Sequence, residues 1–129
     1  MAISETAAQQ FFTDYGDKLF NTEALSLTAF LQPPLLIISE DGSVPVSNQQ
    51  EAEQAIADWV AETRDSGAVA TRVTLNDFKA ISENLCSAKI AWQWLAPGDT
   101  PNGITNFYYI LQQRSDTSLA IVFCASIQK

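Results

Sequence analysis

Helical spacing occupies the first half of this chain and alternation the second, and no other feature constrains the fold as much. Helices followed by a run of strands point to an α+β domain, with the helices packed on one face of an antiparallel sheet. In the first segment Ala8, Phe11, Phe12, Tyr15 and Leu19 recur at three- and four-residue spacing. They form one apolar stripe on a helix that Ser4 can cap. A second, shorter helix is expected after Asn21-Thr22, with Ala24, Leu27, Thr28 and Leu31 facing inward. Pro33-Pro34 would end it, because proline lacks an amide hydrogen and restricts the residue before it. A third helix carries Ala52, Ala55, Ile56, Trp59, Val60 and Thr63 on one stripe. It opens on overlapping capping boxes within Ser47-Asn48-Gln49-Gln50-Glu51 and closes before Gly67.

Residues 35–39 read as a short strand, Asp41-Gly42 as a turn, and Val44-Pro45-Val46 as an edge piece where proline is tolerated. After Gly67 the pattern is strand and turn. Val69, Thr71, Val73 and Leu75 share one parity; the phase breaks at Asn76-Asp77, and Phe78 and Ala80 resume on the other. Such a slip inside a long strand is what a β-bulge looks like in sequence. Ile90, Trp92 and Trp94 share a face, residues 97–103 read as a loop, and residues 104–114 and 119–127 as the last two strands. In the final strand Leu119, Ile121, Phe123 and Ala125 fall on one face, Ala120, Val122 and Cys124 on the other. Both faces are apolar and the helices cover only one. The uncovered face is expected to meet a second copy of the chain, giving a homodimer.

The 129 residues suit a single domain, 1–129, with a real core. No apolar run approaches the ~20 residues that span a bilayer. Met1-Ala2-Ile3-Ser4-Glu5 lacks the basic and apolar regions of a signal peptide, so a cytoplasmic location is expected. The net charge is −8, with only seven basic residues, and they are scattered. That argues against nucleic acid and against an anionic membrane as partners. There is no histidine, which removes the commonest general base and the commonest metal ligand. Cys86 and Cys124 each sit in an apolar strand pattern without ligand spacing and read as buried thiols, not a metal site.

Several segments carry a family likeness. These are Phe12…Tyr15 on the first helix, Ala24-Leu25…Phe30-Leu31-Gln32-Pro33 before the first strand, Asp41-Gly42 followed by Asn48…Ala52…Ile56, and the hairpin Arg114-Ser115-Asp116-Thr117-Ser118-Leu119-Ala120-Ile121. Taken in order, over nearly the whole chain, they resemble the nuclear transport factor 2-like superfamily, also called cystatin-like or ketosteroid-isomerase-like. The resemblance implies three N-terminal helices packed on a curved, cone-shaped, mostly antiparallel sheet, with copies pairing sheet to sheet. Members include isomerase-like enzymes, dehydratases, cyclase-type proteins and pure binding modules, so fold does not fix function. The resemblance puts Tyr15 where the isomerase tyrosine stands and Ser39 where its carboxylate base would be. The acid position falls near Thr105 and Asn106. Serine takes no proton at neutral pH without an activating base, and a histidine-dependent dehydratase would lack its histidine.

The expected site is therefore a cone-shaped pocket for a small apolar ligand, between the first helix, the third helix and the concave sheet. Tyr15, Ser39, Trp59, Trp94, Asn106 and Tyr108 are the expected ligand-binding residues. For Tyr15 two readings stay open, a plain core residue or a hydrogen-bond donor lining the cavity. Trp59, Trp92 and Trp94 are open between aromatic wall and core. Three functions are open: a binding protein; an isomerase-, dehydratase- or cyclase-type enzyme pairing Tyr15 with Glu40 or Asp77; or an interaction module whose cone is plugged by its own aromatics. No cofactor or metal is implied.

Overall fold

The computed structural model describes residues 3–21, 24–39 and 42–127. Helix α1 (Glu5–Asn21) leads through a 3₁₀ segment (Ala24–Phe30) into strands β1 (Leu31–Ser39) and β2 (Gly42–Val46). Helix α2 (Gln49–Asp65) follows, then β3 (Ala70–Ser82), β4 (Leu85–Ala96), β5 (Thr100–Gln113) and β6 (Leu119–Ile127). The six strands form one open sheet in the order β2-β1-β6-β5-β4-β3. All neighbours are antiparallel except β1 and β6, which run parallel. The protein is thus α+β with a mixed sheet. None of the helices is long and apolar enough to cross a membrane among the described residues.

Among the described residues the α-helices number two, not three. The expected middle helix is a 3₁₀ segment of seven residues, and Leu31, assigned to its inner face, opens β1. Leu27 and Thr28 are buried as expected; the start at Thr22 lies outside the described residues. So short a stretch, run directly into two prolines, cannot propagate α-helical bonds. The prolines lie inside β1, where they interrupt its pairing with β6 between Leu31 and Leu36.

Local signals explain both α-helices. The Ser4 hydroxyl accepts from Ala7 N at 3.0 Å at the start of α1. At α2 the Asn48 side chain accepts from Glu51 N at 3.0 Å, while the Glu51 carboxylate accepts from Ser47 N at 2.7 Å. Gly67, at φ +97°, ends the helix, and its N–H bonds Arg64 O at 3.1 Å. Gly16 lets α1 approach the sheet closely. A Cβ there would stand 3.1 Å from carbons of Thr71, Val73 and Trp92.

Bulges shape the sheet. The β3–β4 register shifts between Leu75 and Asp77, so the parity break at Asn76-Asp77 is a bulge. Another shift, in β6, was hidden. Ile121 pairs with Leu111 but Phe123 pairs with Ile110, which leaves Val122 as the extra residue. Beyond it the parity inverts. Cys124, paired with Tyr109, joins the inner face, while Phe123 and Ala125 turn outward, opposite to the alternation expected from sequence. Residues 97–103 are also not one loop. A short 3₁₀ turn (Pro97–Asp99) hands directly to β5, and Thr100 and Pro101 pair with Ala96 and Leu95.

Arg114 ties the halves of the chain together. Its guanidinium donates to Gln32 Oε1 (2.9 Å), Leu31 O (3.0 Å), Ala29 O (3.1 Å) and Ser118 Oγ (3.3 Å). Hydrogen bonds from a charged group contribute more than neutral ones, and removing the donor leaves acceptors unsatisfied. Arg114→Met is expected to lower unfolding free energy by about 2 kcal/mol. Urea denaturation checks this; an unchanged midpoint would show that water replaces the clamp without loss.

Candidate functional site

The inner face of the sheet is set by strand parity. Thr71, Val73 and Leu75 on β3 lie beside Trp94, Trp92 and Ile90 on β4; across β5 come Thr105, Phe107, Tyr109 and Leu111. Helix α1 fills the β3–β4 side. Helix α2 packs on the 3₁₀ segment, β2 and β1, and a cavity of about 460 Å³ lies between it and the inner face of β1, β6 and β5. Ligand pockets commonly fall in this range.

The floor is apolar. Leu31, Leu35, Ile56 and Ile121 are buried there. Three polar groups interrupt it: the hydroxyls of Tyr15 and Tyr109 and the thiol of Cys124. Tyr15 is only 4% exposed; its ring stacks on Trp59 (5.7 Å) and meets Trp92 edge-on (5.8 Å). Its hydroxyl makes no hydrogen bond to a described residue. It must open on the cavity, because no sealed side-chain polar atom among the described residues lacks a partner. The Tyr109 hydroxyl accepts from Trp92 Nε1 at 3.0 Å, which leaves its own proton available to donate. At the mouth stand Ser39, Val44, Asp58 and Glu62, all exposed, with half-buried Trp59 beside them.

Burial dominates the electrostatics. It raises the Tyr15 phenol well above its ordinary range, with a smaller push from Cys124. Tyr109 is raised too, by burial first and by Tyr15 and Cys124 next, against the lowering effect of the Trp92 N–H. Burial pushes the Cys124 thiol up to about 12. All three groups are therefore protonated at neutral pH. The cavity interior offers hydrogen-bond donors and no base.

Of the residues expected from sequence, Tyr15, Ser39 and Trp59 meet at this cavity. Trp94 is on the inner face but outside the cavity, stacked on Trp92 at 5.7 Å and bonded through Nε1 to Thr105 Oγ1 at 2.9 Å. Asn106 and Tyr108 lie on the opposite face, paired with Ala91 and Lys89. Asn106 borders a separate hollow of about 250 Å³ with Asn76, Lys89 and Ile127. Their neighbours Phe107 and Tyr109 line the cavity instead. Cys124 was missed because of the hidden bulge, and Asp58 and Glu62 because acidic residues on a helix usually mark its solvated face. Of the candidate carboxylates, Asp77 is exposed and paired with Lys89 away from the cavity. Glu40 and the Asp41 turn lie outside the described residues.

The raised thiol fixes a sign for pH dependence. The folded chain holds the Cys124 proton up to about 12, against 9.0 for an ordinary thiol. That contribution to stability is complete below the ordinary value and is lost as pH rises toward the folded one. Above about pH 9 the melting temperature is expected to fall, and to fall less steeply in Cys124→Ala. A differential scanning calorimetry series in which wild type and variant decline alike would contradict this.

Comparison with known proteins agrees with the geometry. The chain is similar in structure to an NTF2-like protein of unknown function from Shewanella oneidensis MR-1 (TM-score 0.72, 13% identity, covering 94% of this chain and 96% of that one). It is also similar to a cystatin-like domain of unknown function from Nostoc punctiforme PCC 73102 (TM-score 0.73, 13% identity, 97% and 76% covered). The yeast UBP3-associated protein BRE5 is a third similar structure (TM-score 0.73, 13% identity, 99% and 100% covered). At these identities the likeness is one of fold. No match was found among curated proteins. The family profile described as NTF2-like protein (DUF6841) matches residues 4–126, nearly the whole chain, and on that match the chain belongs to this NTF2-like family.

Proposed function

We propose that this protein binds a small apolar molecule and grips one oxygen acceptor of it with the Tyr15 hydroxyl, assisted by Tyr109. The carrying observation is the Tyr15 hydroxyl: a buried donor, without a partner among the described residues, facing a cavity of about 460 Å³. A phenol that opens on the cavity, and not on a protein acceptor, keeps its proton free to donate to a ligand carbonyl. The open volume supports this reading over a cone plugged by its own aromatics. An isomerase-type mechanism needs a base beside the bound carbonyl. Among the described lining residues the carboxylates are Asp58 and Glu62, both exposed at the mouth. Binding is therefore favoured over catalysis.

The two phenols should respond differently to loss of the hydroxyl. Tyr15→Phe keeps the ring volume and is expected to weaken binding of an aryl ketone by about 1 kcal/mol, leaving folding intact. Tyr109→Phe also strips the Trp92 N–H of its acceptor and is expected to cost about 1–3 kcal/mol of stability. Titration calorimetry with acetophenone, paired with urea unfolding, separates the two. Unchanged ketone affinity in Tyr15→Phe would remove the tyrosine from the site.

The outer sheet face supports pairing of two copies. Leu36, Ile38, Tyr108, Ile110 and Phe123 lie there side by side, half-buried, with Tyr108 and Phe123 in edge contact at 6.3 Å. No helix covers that face among the described residues. Light scattering at micromolar concentration is expected to give a dimer mass; monomer alone would leave the face as solvent-tolerant surface.

A further inference from the structure

The mouth of the cavity has one sign of charge. Asp58 and Glu62 stand there four residues apart on α2, so they are neighbours on one helical ridge. The helix as a whole holds five acidic residues (Glu51, Glu53, Asp58, Glu62 and Asp65) against one basic, Arg64. Arg64 does not line the cavity. It reaches to α1, where it donates to Leu19 O at 2.8 Å. No lysine or arginine is among the described residues that line the cavity. Between the two carboxylates in sequence sits Trp59, whose indole is the aromatic ring that best attracts a cation.

Like charges four apart on a helix repel each other. Asp58 Oδ1 accepts from Gln54 Nε2 at 2.8 Å, which leaves its charge in place, and a cation beside the two carboxylates relieves their repulsion and meets the Trp59 indole that Tyr15 stacks on from inside. Acidic residues on a helix are usually no more than a solvated face. Here a second, independent observation makes them part of a site: the buried Tyr15 hydroxyl, unpartnered among the described residues, aims into the same cavity. The interior asks for an acceptor and the mouth for a positive charge, with an apolar floor joining them.

We infer that the natural ligand is an organic cation: an apolar molecule with an acceptor oxygen at its inner end and a protonated amine at the mouth. This rests on the binding role proposed above and adds the charge class of the ligand. A carboxylate-bearing ligand of the same shape is disfavoured, because its charge would face Asp58 and Glu62.

Three para-substituted acetophenones of similar length test the inference by titration calorimetry, ending in a propyl, an aminopropyl or a carboxyethyl chain. At low salt the aminopropyl probe is expected to bind roughly fivefold tighter than the propyl probe, and the carboxyethyl probe weaker than both. The aminopropyl advantage should shrink in high salt. It should fall to about one in the double variant Asp58→Asn with Glu62→Gln, checked for folding by circular dichroism. If the propyl probe binds and Tyr15→Phe weakens it, yet the aminopropyl probe gains nothing, the cation is overturned and the pocket stands. If none of the three binds, both readings fall.

Discussion

One guanidinium fastens the two ends of the chain to each other. Arg114 joins the end of β5 to the 3₁₀ segment and the start of β1, more than eighty residues earlier. Its bonds brace the parallel pairing of β1 with β6, which two prolines interrupt and which no tight turn can connect. With β1 fixed beside β6, its inner residues Leu35 and Ile37 form the far wall of the cavity, and α2 has a surface to stand over. The site is thus built by contacts between the two ends of the sequence.

Within that frame the polar chemistry is decided by burial. Trp92 satisfies its indole N–H on Tyr109, and that bond orients the second phenol. Tyr15 stays in place by ring contacts alone, packed among Phe11, Phe30, Trp59 and Trp92. One tyrosine is therefore held by a hydrogen bond and the other only by shape. A group held by shape keeps its hydroxyl for whatever enters the cavity.

Much of this was legible in the sequence, and the failures have physical causes. The stripe from Ala8 to Leu19, the caps at Ser4 and Asn48, and the bulge at Asn76 are local signals, and each appears in the structure. The bulge at Val122 left no trace, because every nearby residue is apolar or small and a shifted parity looks the same. Cys124 was lost with it. On β5 the alternative parities were Asn106-Tyr108-Ile110-Gln112 and Thr105-Phe107-Tyr109-Leu111. The second is more apolar and is the one that faces inward, so that signal was present. The middle helix failed because length and the proline stop decide between α and 3₁₀ geometry, and composition does not.

One consequence follows from the indoles. Trp92 and Trp94 lie nearly parallel, 6° apart at 5.7 Å, and Trp59 sits 5.9 Å from one and 6.3 Å from the other. Rings this close share electronic excitation. Trp59 alone of the three lines the cavity, so a molecule settling against it perturbs the light absorbed and emitted by the whole trio. The protein carries its own optical gauge of whether the cavity is filled.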